Sequence, residues 1–137
     1  MPIEESKLDL EATGTIDVAV YGDVTGLRAE WDDIAARSPS SLYQTFAWVE
    51  TWSRHAGRGA KMSPRIVVGR KRGKVLFLLP LSTYRRGIYR MVSYLADTHS
   101  NFCMGLFDTD LIPRLTIADM KALVAKLSEL LAPVDVL

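Results

Sequence analysis

A polar stretch holds three residues of the types found in hydrolase triads. Asp97, His99 and Ser100 could supply an acid, a base and a nucleophile, but they are almost adjacent in the chain. Triads assemble from separate segments, because neighbouring residues seldom align the three groups in one hydrogen-bonded series. No G-x-S-x-G motif is present either. We therefore predict a polar loop at the end of a strand, a place that often contacts ligands.

Metal ligands are sparse. The chain has two histidines and one cysteine, and their positions do not match the ligand spacing of a tetrahedral zinc site. Cys103 lies in an apolar segment, which favours a buried small hydrophobe, and a single cysteine excludes an intramolecular disulfide. Asp108 and Asp110 are conceivable ligands of a carboxylate-rich site, but Pro113 close by favours a loop. We predict no bound metal.

A basic stretch, Gly69 to Lys74, superficially resembles a phosphate-binding loop. That loop requires four residues between its first glycine and the Gly-Lys pair, whereas this chain has three. It also leads into a helix, whereas the residues after Lys74 have the pattern of a strand. The stretch is therefore predicted to be a hairpin turn with its charges solvated at the tip.

Aromatic residues concentrate in the segment 41–57, SLYQTFAWVETWSRHAG. Trp48 and Trp52 are four residues apart and share one face of a predicted helix, so core packing is the simpler interpretation. Residues at the two ends of this helix are able to reach a cleft while the tryptophans anchor it. They are Tyr43, Gln44 and His55.

The elements that position these residues follow a recognisable order. Period-two and period-3.6 patterns predict strand, helix, helix, three or four consecutive strands, helix and strand. This order indicates an α/β or α+β fold with helices on a sheet. The last helix begins at Thr116, which has capping-box spacing to Asp119. We expect a flexible N-terminal lead over residues 1–13 and one domain over residues 14–137.

Composition narrows the function classes. At 137 residues and 48% hydrophobic content the chain suits one globular domain. Seventeen basic and sixteen acidic residues leave a net charge of +1, which argues against a nucleic-acid-binding domain. The start of the chain does not resemble a secretory signal, and no apolar stretch approaches the ~20 residues of a membrane span. We expect a cytoplasmic protein.

One pattern resembles a known family. The run S-L-Y-Q-T-F-A-W from Ser41, followed by Trp52 and His55, is similar to the S-x-F-Q-T-x-x-W…W…F-G signature of a bacterial acetyltransferase-like family. That family is associated with cellulose biosynthesis and related to FemAB-type aminoacyltransferases. The hairpin VVGRKRGKVLFLLPL and the segment SYLADTHSNF also fit, although Asn101-Phe102 replaces the family's Asp-Tyr.

The resemblance implies a tandem of two GNAT-like (Gcn5-related N-acetyltransferase) halves, of which this chain is the N-terminal one. It implies a mixed, largely antiparallel sheet in the order β-α-α-β-β-β-(β)-α-β, incomplete at the C-terminus. A GNAT domain lays the pyrophosphate of its acyl donor on the N-terminus of the helix after these strands, cradled by a glycine-containing loop. Here residues 108–116 contain two carboxylates and Pro113, and they lack glycine. We therefore expect no cofactor in this chain, and acetyl-CoA or another acyl-CoA only with a second domain.

Two functions follow as expectations. The first is the acceptor-side half of an N- or O-acyltransferase acting on a small-molecule or saccharide acceptor of the cell envelope, partnered by the missing half. The alternative is a non-catalytic module that self-associates or binds a partner. No catalytic residue can be named. The residues expected to line the acceptor cleft are Tyr43, Gln44, His55, His99, Asn101 and Phe102.

Overall fold

The fold is a mixed α+β arrangement of helices on an antiparallel sheet. The computed structural model describes residues 2–38, 46–47, 50–51, 63–94 and 105–131. The described elements, in chain order, are β1 (Glu4–Leu10), β2 (Gly14–Tyr21), α1 (Arg28–Ala36), β3 (Ser63–Lys71), β4 (Lys74–Arg86), β5 (Tyr89–Tyr94), β6 (Leu106–Phe107), a 3-10 turn (Ile112–Arg114) and α2 (Ile117–Leu130). Residues 46–47 and 50–51 are also helical. The coarse fold class predicted from the sequence is confirmed.

The sheet is a meander. Its strands lie side by side in the order β1-β2-β3-β4-β5, and each runs antiparallel to its neighbour. β6 also pairs with β4 in the antiparallel sense. The strand predicted after the last helix, in residues 134–137, lies outside the described residues.

The first strand corrects a prediction. Residues 1–13 were expected to form a flexible lead, yet β1 pairs with β2 from Glu4 opposite Val20 to Leu10 opposite Gly14. Leu8 and Leu10 are 5% exposed, whereas Lys7 and Asp9, which alternate with them, are exposed on the other side of the sheet. The alternation is that of a half-buried strand. Its glutamates and lysine have low strand propensity, which concealed it.

The basic hairpin forms as predicted. Arg72 and Gly73 both have positive φ, 53° and 80°, as a two-residue type I′ turn requires. β3 and β4 pair along their length, with Lys71 opposite Lys74. From Val75 to Leu81 every residue of β4 is buried, which agrees with the continuous apolar run in the sequence.

Each sheet face carries its own core, because neighbouring residues of a strand point to opposite sides. On one face Trp31 and Ile34 of α1 pack against Ile66, Val68 and Leu78. The other face packs under α2, and its core includes Leu8, Ile16, Val18, Phe77, Leu79, Leu123 and Leu127. The two helices therefore cover opposite faces of the sheet.

α2 carries an apolar stripe of which only part is buried; the stripe consists of Ile117, Met120, Leu123, Val124, Leu127, Leu130 and, directly after the helix, Leu131. Leu123 and Leu127 are 6% and 8% exposed, whereas Ile117, Met120 and Val124 are 78%, 43% and 48% exposed. Among the residues that the structure describes, no helix combines the length and the apolar character needed to cross a bilayer.

Candidate functional site

The predicted cleft residues all fall outside the described part of the chain. Tyr43 and Gln44 precede the helical residues 46–47, and His55 follows residues 50–51. His99, Asn101 and Phe102 lie between β5 and β6. Trp48 and Trp52 are also outside the described ranges. The acceptor cleft therefore stays a prediction, and the structure bears on it through the residues that flank it.

The segment 95–104 contains the predicted cleft residues His99, Asn101 and Phe102. The strands that precede and follow it, β5 and β6, both pair with β4. β3 occupies one edge of β4, so β5 and β6 share the other. β5 ends opposite Leu81 and β6 begins opposite Leu78, so only Leu79 and Pro80 separate the two contacts. Proline is tolerated in a sheet where the neighbouring strand is interrupted, because it has no N–H to donate. The described residues that flank the segment 95–104 therefore pair with β4 on either side of Leu79 and Pro80.

Phe46, within the aromatic segment 41–57, belongs to the core. Phe46 is 4% exposed, and its ring meets that of Trp31 edge-on, with centroids 5.6 Å apart. The guanidinium of Arg28 lies 5.5 Å from the Phe46 ring centroid, a cation–π contact. For Phe46, packing against α1 explains the aromatic character that the sequence displays.

The start of α2 is occupied by the chain's own carboxylate. Thr116 is the N-cap and accepts a hydrogen bond from the Asp119 amide, while Asp119 accepts one from the Thr116 amide at 3.2 Å. The capping box predicted from the sequence is confirmed, with Asp in its third position. The Asp119 side chain also accepts hydrogen bonds from the amides of Glu11 and Ala12, at 2.6 and 3.2 Å. Through these two amides, Asp119 joins the start of α2 to the β1–β2 turn.

The Asp119 carboxyl is held in its charged form. It belongs to a residue only 2% exposed, and burial alone would raise its pKa. Hydrogen bonds from the amides of Glu11, Thr116 and Ala12 outweigh burial, and the pKa lies below the ordinary value of 3.8. A permanent negative charge thus sits at the positive end of the α2 dipole.

A second buried carboxylate, Asp108, joins three elements. It forms ion pairs with Arg37 at the end of α1 and with Lys74 at the start of β4, the latter at 3.4 Å. It also accepts a hydrogen bond from the Asp110 amide at 2.9 Å. Arg37 further donates to the Val75 carbonyl at 2.9 Å. Sequence reasoning missed Arg37, since no local pattern links it to a residue so distant in the chain.

This arrangement argues against acid–base chemistry at Asp108. Burial raises its pKa, but the hydrogen bond from the Asp110 amide and the charges of Lys74 and Arg37 lower the pKa by more, so it lies below the ordinary value of 3.8. A carboxylate of such low pKa is a weak general base near neutral pH and does not supply a proton. Across the described ranges, no group of three or more His, Cys, Asp or Glu side chains is placed to hold a metal ion.

The charges at the tip of the basic hairpin, Lys71, Arg72 and Lys74, are exposed as predicted, whereas Arg70 is partly buried. Arg70 donates twice to Glu30 of α1, at 2.5 and 2.7 Å, and its guanidinium lies 5.4 Å from the Tyr21 ring centroid. Those hydrogen bonds to Glu30 raise the pKa of Arg70 despite partial burial. Lys71 donates to the Thr13 carbonyl, and Lys74 contacts the buried carboxylate described above. These charges hold the hairpin to its neighbours.

Comparison of this chain with protein families, with curated proteins and with solved structures found no match.

Proposed function

We propose that this chain is the non-donor-binding half of an N- or O-acyltransferase, acting on a cell-envelope or polysaccharide-related acceptor. In this proposal an acyl-CoA is bound by a second, GNAT-like half. The sequence signature from Ser41 to His55 supports it. So does the succession β2, α1, the helical residues 46–47 and 50–51, β3, β4, β5 and α2, with α1 and α2 on opposite faces of the sheet. β1 is additional to the order that the resemblance implies.

The observation that carries the proposal is that the Asp119 carboxylate accepts hydrogen bonds from the backbone amides around the start of α2. A donor pyrophosphate needs free N–H groups and the positive end of the helix dipole. In this chain Thr116 caps the Asp119 amide, and Asp119 supplies the anion. A pyrophosphate would meet this charge, and that of Asp108 in the same loop, in a region without glycine. The donor is therefore held elsewhere.

Calorimetry with acetyl-CoA tests this proposal. The chain alone is expected to show no uptake, whereas a complex with a glycine-containing second half is expected to bind acetyl-CoA and acylate an acceptor. A Thr116→Ala variant serves as a matched control, since it removes the cap and leaves the Asp119 charge in place. It is expected to bind no acetyl-CoA either. Stoichiometric, micromolar uptake by the chain alone would refute the proposal.

A non-catalytic binding module is the second candidate. It is favoured by the apolar face of α2 formed by Ile117, Met120 and Val124, which is bordered by Lys121 and Ala125. Apolar side chains grouped at helical spacing on an exposed face are a common feature of interaction surfaces. Sedimentation velocity over a concentration series tests self-association directly. A monomer at every concentration would contradict the self-associating form of this candidate.

A further inference from the structure

The outer edge of β1 carries a charge pattern that a second copy of the chain would complement. Among the described strands, β1 ends the sheet. The exposed face of β1 presents Glu5, Lys7 and Asp9, which alternate in sign. An edge strand offers unpaired backbone N–H and C=O groups to any strand that can lie beside it.

A row of alternating charges crosses the sheet and stops at this edge. Arg70 on β3 lies opposite Asp17 on β2, and Asp17 lies opposite Lys7 on β1. Lys7 and Asp17 form an ion pair, with their side chains 72% and 59% exposed. The row therefore reads positive, negative, positive, and the next strand in the sheet would extend it with a negative residue opposite Lys7.

Glu5 is the residue that meets this requirement. It lies opposite Ala19 on β2, and within the described ranges it forms no ion pair. We propose that β1 of a second copy pairs antiparallel with β1, about a two-fold axis through Ser6. Lys7 of each copy then lies opposite Glu5 of the other, and the two sheets become one.

The charges favour the register through Ser6 over those through Lys7 and Leu8. A two-fold axis that keeps the same sheet face on both sides passes through one residue of β1. Through Lys7, it sets Lys7 against itself and Glu5 against Asp9. Through Leu8, it pairs Lys7 with Asp9 but sets Glu5 against Glu11. Through Ser6, it forms two opposite-charge pairs and no like-charge pair. Directly opposed like charges destabilise a strand pair, and opposite charges stabilise it.

Charged side chains on an edge strand often prevent pairing instead. That protection works when the charges that meet have the same sign, as with an edge rich in lysine. On β1 the register centred on Ser6 brings together opposite charges only, whereas each of the other two registers also contains like-charge pairs. The observed pattern therefore limits the register of pairing without closing the edge.

This inference rests on the self-association form of the second candidate function and gives it a defined surface. It is independent of the acyltransferase proposal, which concerns the start of α2. It also differs from association through the apolar face of α2, because charge reversal on β1 leaves Ile117, Met120 and Val124 unchanged.

Charge reversal and charge exchange test the pairing. The dimer dissociation constant of the full chain is measured by sedimentation equilibrium for wild type, Glu5→Lys, Lys7→Glu and the double variant. Each single reversal turns two attractions into two repulsions and is expected to raise the constant about tenfold or more. The double variant restores opposite charges and is expected to return to within about threefold of wild type.

Asp9→Lys is the matched control, since it reverses a charge on the same face but lies opposite Ile3 in the proposed register. It is expected to leave dimerisation unchanged. Thermal melting of each variant checks that the fold is retained. A wild-type monomer would overturn both this inference and self-association. If Glu5→Lys leaves the dimer dissociation constant unchanged, whether or not Asp9→Lys raises it, the β1 register is overturned. Self-association itself would still stand.

Discussion

Substituting alanine for Gly69 is expected to destabilise the protein through one defined collision. Gly69 lies on β3 opposite Phe77 of β4. A Cβ atom at position 69 would lie 2.2 Å from Phe77 Cε2, and 2.5 and 2.7 Å from its Cζ and Cδ2. An ordinary carbon–carbon contact is about 3.5 Å or longer, so the ring must retreat by about 1.3 Å.

The ring that would have to move is buried and already stacks on a second ring. Phe77 is 1% exposed, and it stacks on Phe107 with centroids 5.9 Å apart and planes 29° apart. Overpacking of a core costs about 1–3 kcal/mol. Replacing glycine by alanine in a compatible site gains about 0.4–1 kcal/mol through the unfolded chain. The collision therefore wins, and we expect a net loss of about 1–2 kcal/mol.

Urea denaturation followed by tryptophan fluorescence measures this loss. Gly22→Ala is the control, because its added Cβ would meet only Ile3 Cγ2 at 3.8 Å, an ordinary contact. It is expected to change the free energy of unfolding by less than about 1 kcal/mol. Phe77→Leu removes part of the ring, so Gly69→Ala should cost less in that background. A stable Gly69→Ala variant, or strictly additive costs, would refute the reasoning.

Two further predictions concern the carboxylates and the cap that precede α2. Thr116→Ala should lower the free energy of unfolding by about 1 kcal/mol, as judged by urea denaturation, while Thr116→Ser keeps the hydroxyl and most of that stability. The pKa values of Asp108 and Asp119 are lower in the folded chain than the ordinary 3.8, so the unfolded chain binds protons first as the pH falls. Stability should be full above about pH 5 and decline as the pH falls through the folded pKa values. Asp108→Asn should be less stable than wild type at neutral pH and lose less stability on acidification, and parallel pH curves would contradict this.

Elements governed by neighbouring residues were predictable from the sequence. The alternation of Ile16, Val18 and Val20 predicted β2. The basic stretch from Gly69 to Lys74, followed by an apolar run, predicted the hairpin whose turn forms at Arg72 and Gly73. The Thr116–Asp119 spacing predicted the start of α2. In each case the deciding interaction lies within a few residues of the chain, so composition and spacing already contain it.

Elements governed by distant partners were not predictable. β1 is a strand because β2 lies beside it and α2 covers Leu8 and Leu10, while its own residues have low strand propensity. The ion pair of Arg37 with Asp108 depends on α1 and the end of β6 meeting in space. The residues predicted to line the acceptor cleft lie outside the described ranges and stay predictions.

The sequence by itself determined the coarse fold class, the hairpin, the capping box and the lack of glycine before the last helix. Tertiary structure alone decided which half of the α2 stripe is buried and where the two carboxylates find their partners. The physical reason is one of range. Backbone conformation responds to nearby residues, whereas burial and charge pairing depend on which segments the whole sheet brings together.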